Sequence, residues 1–190
     1  VQGFLKVPLE GDLISISGHK IHASKGIGAL YIKKGIRISP LLLGGGQQKN
    51  LRSGTEPVEL IAGLDAAVRA YHGTEEHFSM LKKHLLDGLS GLEGITVNSG
   101  DDCLPNIVNF SVDGVRSEIM LHSLEEREIY VSSGSACSRG KTSGVLAAFG
   151  IADKLADSAV RVSMCADTTE ADIDALVDGI SAGIQRFRRK

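Results

Sequence analysis

The segment Asp12-Leu-Ile-Ser-Ile-Ser-Gly-His-Lys20 joins a short strand to a polar turn. Apolar and polar side chains alternate over residues 12–17, which predicts a strand. Lys20 then stands at the carboxyl end of that strand, where ligands bind in α/β sheets. A partly desolvated lysine has a lowered pKa and can form a Schiff base, whereas a lone lysine at a strand end more commonly reaches water. Ser17 and His19 can donate hydrogen bonds to an anion, which a surface lysine would not need.

Strands and helices alternate along the rest of the chain. Further strands are predicted over residues 28–33, 95–98, 106–112, 129–131 and 159–163. Helices are predicted from about residue 58 to residue 92 with a break near 72–74, at 117–126 with Ser117 as N-cap, at 145–149, and at 173–187 after a cap in 168–172. The alternation indicates an α/β or α+β protein with a boundary near residues 73–75.

The composition narrows the class of protein. The 190 residues are 42% hydrophobic and 23% charged, which is typical of a soluble globular protein. A formal net charge of −2 gives no electrostatic case for binding nucleic acid or a membrane surface, and no apolar run reaches transmembrane length. Cys103, Cys137 and Cys165 form no C-x-x-C pair and lack a histidine at zinc-ligand spacing. Their odd number favours a reducing compartment, and we expect the cytoplasm.

The segment Val131-Ser-Ser-Gly-Ser-Ala-Cys-Ser-Arg-Gly-Lys-Thr142 surrounds Cys137 with small and polar residues. Free cysteines are usually buried among apolar side chains, so this setting leaves four roles open: a nucleophile, a metal ligand, part of a phosphate loop, or an inert thiol. A Walker A loop needs four residues between its glycines, but five separate Gly134 from Gly140. The spacing therefore argues against a nucleotide-binding loop.

A glycine-rich loop, Gly44-Gly-Gly-Gln-Gln-Lys-Asn-Leu-Arg-Ser-Gly-Thr55, supplies further anion-binding groups. Arg52, Ser53 and Thr55 can each donate hydrogen bonds to a phosphate or carboxylate. A flexible, solvated turn explains the same composition, so the loop alone does not decide between the two interpretations.

Together, these motifs resemble those of the cysteine desulfurases, which are pyridoxal-phosphate enzymes of the class V aminotransferase type. The resemblance keeps the order of the motifs and covers essentially the whole chain. It rests on Ser17-Gly-His-Lys20, Lys25-Gly-Ile-Gly-Ala-Leu-Tyr31, the loop 44–55, Ser132-Ser-Gly-Ser-Ala-Cys137, and Val160-Arg-Val-Ser163 with Thr168-Thr-Glu170. It implies that residues 1–73 form the C-terminal part of a fold type I cofactor-binding domain. Residues 74–190 would form the small α+β domain that carries the cysteine loop.

The resemblance assigns the first motif to the cofactor. Lys20 would hold pyridoxal 5'-phosphate as a Schiff base and act as general base on the substrate Cα. Ser17 and His19 would bind the cofactor phosphate, with Gly18 allowing its close approach. Gln2 lies where the family's glutamine contacts the cofactor ring.

Other residues would serve the second subunit and the substrate. Thr55 would reach the phosphate bound in the neighbouring subunit, so the resemblance implies a homodimer. Arg161 would clamp the carboxylate of L-cysteine in a bidentate manner. Cys137 would attack the substrate sulfur as a thiolate and carry it as a persulfide to an acceptor protein, leaving L-alanine. Arg139 and Lys141 could favour that thiolate, or could be ordinary solvated loop charges.

Two features depart from the family's pattern. The family often has a proline ahead of Ser-x-Val-Leu after the nucleophile, and residues 141–146 contain none. The family's cofactor-stacking histidine and the aspartate that pairs the pyridinium nitrogen would precede Gln2. We therefore expect this chain to be the second half of such an enzyme and to hold the cofactor weakly or not at all by itself.

Rival functions follow from the same motifs. One is a selenocysteine lyase or another class V lyase or aminotransferase. A rival of another kind is a non-catalytic module that docks sulfur-accepting partners. The acceptor itself, whether an iron–sulfur scaffold, a tRNA-thiolation protein or another carrier, is not specified by the sequence, and neither a membrane nor a nucleic acid is an expected direct partner.

Overall fold

A computed structural model describes residues 10–70, 75–133 and 144–188. The chain divides into two compact units, Val1–Gly73 and Thr74–Lys190. None of the helices in these described ranges is long and apolar enough to cross a membrane.

The first unit is built on a two-stranded antiparallel sheet. Strand β1 (Leu13–Ser17) pairs with β2 (Gly28–Ile32), with Leu13 opposite Ile32. A 3₁₀ turn over Gly18–Ile21 follows β1 directly. A second 3₁₀ turn, Gln47–Asn50, and helix α1, Val58–Ala70, complete the described part of the unit.

The second unit packs helices against a three-stranded antiparallel sheet, in the order β3-β4-β5. Its strands are β3 (Ile95–Val97), β4 (Ile107–Val112) and β5 (Ala159–Ser163). Its helices are α2 (Glu75–Ser90), α3 (Ser117–Glu125), α4 (Gly144–Ala148), α5 (Asp153–Asp157) and α6 (Glu170–Phe187).

Alternation along β4 and β5 sends apolar side chains to the helices. Side chains of a strand point to opposite faces in turn, so residues 108, 110, 160 and 162 share one face. All four are buried, as are the inward positions of α2, α3 and α6, which pack with them. The main core positions are Leu81, Leu85, Leu89, Val108, Phe110, Met120, Leu124, Val160, Val162, Ile173, Leu176 and Ile180.

The mixed helix and strand architecture confirms the α/β class expected from the sequence, but two local predictions were wrong and one short helix was not predicted. Residues 129–131 do not form a strand; Ser132 alone makes a β-bridge, to Arg161. Ser117 is not the N-cap of α3, because the cap is Arg116 and Ser117 is a buried first helical residue. Helix α5 was not predicted, because Leu155 and Ala156 are adjacent and are the only apolar residues among its five, which gives no helical period.

Candidate functional site

The turn that follows β1 is tied down by backbone hydrogen bonds. The Gly18 N–H donates to the Ile27 carbonyl at 2.9 Å, and the Ala23 N–H donates to the Gly18 carbonyl at 3.1 Å. His22 ends the turn in the left-handed region, at φ 65°. The turn is therefore fixed at both ends by its own main chain.

This turn presents a set of polar side chains. Ser17, His19 and Lys20 are all exposed within their unit, while Gly18 between them is buried. A hydroxyl and an imidazole suit a phosphate group, and a primary amine suits the carbon of an aldehyde. These are the types of group that a phosphate-bearing aldehyde needs, and its binding to this turn stays a prediction.

Gly18 has a packing role that the sequence did not indicate. A Cβ at this position would lie 2.8 Å from Ile27 Cγ2 and 3.0 Å from the Ile27 carbonyl oxygen. Contacts that short are not tolerated, so the turn needs glycine for its own packing. Close approach of a phosphate to Gly18 stays a prediction.

Within the described part of its unit, Lys20 does not lie at the end of a parallel strand. Ligands bind at the carboxyl ends of strands in parallel sheets. In residues 10–70 the only partner of β1 is β2, and the pairing is antiparallel. The position of Lys20 is therefore defined by the turn over Gly18–Ile21 and not by the general rule for α/β sheets.

The glycine-rich loop is braced by its own polar groups. The Ser53 hydroxyl donates to the Gly45 carbonyl at 2.6 Å, and the Arg52 guanidinium donates to the Ser53 carbonyl at 2.7 Å. The Gly54 N–H donates to Gln47 Oε1 at 3.2 Å. Two of the three expected anion-binding side chains are thus engaged inside the loop, and the exposed Thr55 stands at its end.

Arg161 lies in the middle of β5, where its main chain is paired and its side-chain Nε is buried. Its N–H donates to the Ser132 carbonyl at 2.6 Å, and the Ser132 N–H donates to the Arg161 carbonyl at 3.1 Å. Its Nε is buried and has no hydrogen-bond partner within the described part of the chain. Buried donors normally have partners, so this Nε is available to an anion.

Polar residues that the sequence reading did not single out surround Arg161 on the sheet. Asn98 Nδ2 donates to Asn109 Oδ1 at 2.7 Å and to Ser111 Oγ at 2.9 Å, and Ser111 Oγ donates to the Leu155 carbonyl at 2.7 Å. Asn109 is directly opposite Arg161. The alternation of apolar and polar residues from Val108 to Val112 was the signal for this polar face.

Two of the predicted site residues, Gln2 and Cys137, lie outside the described residues, as do Arg139 and Lys141. Ser132 and Ser133, which begin the motif of Cys137, are described. The described end of that motif is therefore hydrogen-bonded to the strand that carries Arg161.

Comparison with known proteins finds extensive similarity. The family described as aminotransferase class-V matches residues 7–176. The chain is 40% identical to the mitochondrial cysteine desulfurase of Eremothecium gossypii and 39% identical to the cysteine desulfurase IscS of Vibrio vulnificus, with 98% and 95% of this chain covered. These alignments cover 41% and 46% of the two relatives, so the chain spans a little under half of their length. The X-ray structure of a NifS-like protein from Rickettsia africae matches with a TM-score of 0.83 and 30% identity, covering 97% of this chain and 52% of that one.

Proposed function

The chain belongs to the class-V aminotransferase family, and from that premise we propose that the protein is a cysteine desulfurase dependent on pyridoxal phosphate. Similar proteins that carry the name cysteine desulfurase align with almost the whole of this chain. The polar turn after β1 and the unpaired Nε of Arg161 are the features of this chain that support the same activity.

The turn over Gly18–Ile21 would hold the cofactor. Lys20 would bind its aldehyde carbon, and Ser17 and His19 would bind its phosphate. When bound, pyridoxal phosphate supplies an electron sink for negative charge that develops on the substrate Cα. Gln2 is the proposed contact with the cofactor ring.

The substrate would be bound through its carboxylate and cleaved at its carbon–sulfur bond. Arg161 binds the carboxylate of L-cysteine, and the Lys20 amine moves the Cα proton. The Cys137 thiolate attacks the substrate sulfur, and the carbon–sulfur bond breaks with its electron pair remaining on carbon. That carbon takes up a proton, so L-alanine leaves and Cys137 carries a persulfide.

The observation that carries this proposal is the pairing of Ser132 with Arg161. Two backbone hydrogen bonds, at 2.6 and 3.1 Å, join the strand of the proposed carboxylate ligand to the motif of the proposed nucleophile. A desulfurase needs both groups at one substrate, since one end of cysteine is bound while the other is attacked. An inert cysteine would need no such connection.

The same function implies partners. Thr55, exposed at the end of the braced loop, would complete the phosphate site of a second subunit, so the active form would be a homodimer. The persulfide would pass to an acceptor such as an iron–sulfur scaffold or a tRNA-thiolation protein. We place this activity in the cytoplasm, where a thiol nucleophile stays reduced.

The test is the release of alanine and sulfide from L-cysteine by the complete protein, purified with pyridoxal phosphate in the presence of a thiol reductant. Cys137→Ser should abolish sulfide release while the cofactor absorbance remains. Lys20→Ala should remove the Schiff-base absorbance itself. Cys165→Ser is the matched control, because Cys165 is exposed in the turn after β5.

Two results would contradict the proposal. Persistence of sulfide release in Cys137→Ser would exclude that residue as the nucleophile. A protein that binds no pyridoxal phosphate but still binds a sulfur acceptor would be a docking module. Parallel assays with L-selenocysteine separate a desulfurase from a selenocysteine lyase, since only the lyase would be selective for selenium.

A further inference from the structure

We propose that Asn109 supplies a second hydrogen-bond donor to the substrate carboxylate beside Arg161, and that Asn98 is a positioning residue that orients the Asn109 amide. This inference rests on the proposed function, because it extends the site of the same carboxylate. It assigns roles to two residues on the polar face of the sheet in the second unit.

The register of the sheet places these residues in one row. Asn109 on β4 is directly opposite Arg161 on β5, and the main chain of Asn98, just after β3, donates to the Asn109 carbonyl at 2.8 Å. Residues directly opposite on neighbouring strands point to the same face, with Cβ atoms about 4.5–5.5 Å apart. The row therefore runs across the sheet on the face away from the apolar core.

The hydrogen bonds of the row fix the direction of the Asn109 amide. Its Oδ1 accepts from Asn98 Nδ2 at 2.7 Å. An amide carries its oxygen and nitrogen on opposite sides, so the Asn109 Nδ2 is the group that remains on the side of Arg161. The row then ends in N–H donors, as a carboxylate requires.

The side-chain amide of Asn98 donates two hydrogen bonds and accepts none among the residues described. Its Nδ2 serves both Asn109 and Ser111, while its Oδ1 is buried without a partner among the residues described. Ser111 is fully buried and donates onward to the Leu155 carbonyl at 2.7 Å, so it accepts from Asn98. Turning the Asn98 amide over by itself would bring two carbonyl oxygens together, so its orientation is coupled to that of Asn109.

The first test compares binding of L-alanine with binding of ethylamine, which is alanine without its carboxylate, to the complete protein loaded with cofactor. Asn109→Asp keeps the acceptor for Asn98 but replaces the Nδ2 donor with a negatively charged oxygen, so the uncharged variant Asn109→Leu is measured beside it. Both variants should weaken L-alanine binding, Asn109→Leu by about tenfold or more, the loss expected for a hydrogen bond to a charged group, and neither should weaken ethylamine binding. A loss seen only in Asn109→Asp would be charge repulsion and would contradict the donor role. Equal weakening of both ligands, or of neither, would overturn the assignment of Asn109.

The second test addresses Asn98 through the same pair of ligands. Asn98→Asp cannot donate to Asn109 Oδ1, so the Asn109 amide turns its nitrogen toward Asp at position 98 and its oxygen toward the ligand. The binding ratio of L-alanine to ethylamine should fall, as in Asn109→Asp. A loss of thermal stability with an unchanged ratio would leave Asn98 a purely structural residue and contradict the proposal.

Thr96→Ala is the matched control, since Thr96 is exposed on β3, two residues before Asn98. It should leave the ratio unchanged. Turnover of cysteine and the ligand-binding ratio also test the proposed function and the role of Asn109 separately. A wild-type protein that releases no alanine from cysteine contradicts the desulfurase, whereas a wild-type protein that is active but shows the same ligand ratio in Asn109→Asp contradicts only the role of Asn109.

Discussion

Arg161 exchanges both main-chain hydrogen bonds with Ser132, yet its side-chain Nε is buried without a partner in the described part of the chain. A buried donor left unpaired destabilises a folded protein by about 1–3 kcal/mol. The buried Nε therefore lowers the stability of the folded strand. We expect the effect of Arg161 on stability to be opposite to its effect on activity.

We expect Arg161→Met to raise the free energy of unfolding by about 1 kcal/mol, because it removes the unpaired donor and keeps the apolar stem. Thermal unfolding followed by circular dichroism should show a midpoint higher by about 2–4 °C. Turnover of L-cysteine by the complete protein should be lost in the same variant. Arg116→Met is the control, because Arg116 is exposed and paired with Asp157 at 3.1 Å, and it should bring no gain.

A reciprocal cap begins helix α6. The Asp172 N–H donates to Thr169 Oγ1 at 3.3 Å, and the Thr169 N–H donates to Asp172 Oδ2 at 2.8 Å. Thr169→Ala should destabilise the chain by about 1 kcal/mol, the usual loss for an N-cap side chain. Denaturant unfolding of Thr169→Ala, Asp172→Ala and the double variant should show less than additive losses, and strict additivity would contradict coupling of the two residues.

The same cap predicts a pH dependence. Hydrogen bonds from the Thr169 N–H first, and then from its hydroxyl, hold the pKa of Asp172 below its usual value. A lowered carboxyl pKa stabilises the folded state above the unfolded pKa, near pH 4, and this stabilisation is lost as pH falls through the folded value. The difference in unfolding free energy between wild type and Asp172→Asn should therefore shrink as pH is lowered from about 5 to about 2. A difference that grows toward low pH would contradict the assignment.

Local sequence patterns predicted burial correctly where the burial of a residue depends on its position in its own helix or strand. Phe78, Leu81, Leu85 and Leu89 recur at helical spacing in the sequence, and all four are buried on one face of α2. Strand β5 lies over residues 159–163 as predicted. Amphipathic helices and alternating strands encode which side faces the core, so these elements can be read without knowing their neighbours.

Features set by distant residues could not be read in this way. The bridge from Ser132 to Arg161 and the position of Asn109 opposite Arg161 depend on strand register. The need for glycine at position 18 depends on Ile27, nine residues further along. The roles proposed for Lys20 and Cys137 came from resemblance to a family, because neither spacing nor composition alone decides between a catalytic and an ordinary residue.

Two helical glycines offer a matched pair of substitutions with opposite expected signs. A Cβ at Gly88 in α2 would lie 2.9 Å from Val177 Cγ2 and 3.6 Å from Val177 Cβ. Valine is stiff in a helix, so Gly88→Ala must push α2 and α6 apart. A Cβ at Gly63 in α1 would meet nothing closer than Ser24 Oγ at 4.0 Å.

We expect Gly88→Ala to lower the free energy of unfolding by about 1–3 kcal/mol through overpacking. Gly63→Ala should raise it by about 0.5–1 kcal/mol, because alanine is the better helix former. Both values come from denaturant unfolding of the two variants beside wild type. A stabilising effect of Gly88→Ala would mean that the two helices separate more easily than their contact suggests.

Gly18→Ala should disrupt the turn that carries Lys20. Its new Cβ would meet Ile27 Cγ2 at 2.8 Å, the Ile27 carbonyl oxygen at 3.0 Å and Ala23 Cβ at 3.2 Å. The carbonyl belongs to the main chain that holds the turn, so the turn must shift, and the Lys20 amine shifts with it. In the complete protein with pyridoxal phosphate, the Schiff-base absorbance should fall and thermal unfolding should occur at a lower temperature. Gly144→Ala is the control, since a Cβ there would meet none of the described residues within 4 Å. Adding Ile27→Ala to Gly18→Ala should restore part of the absorbance, because it removes the shortest contact. Full absorbance in Gly18→Ala would show that Lys20 does not depend on this turn for its position.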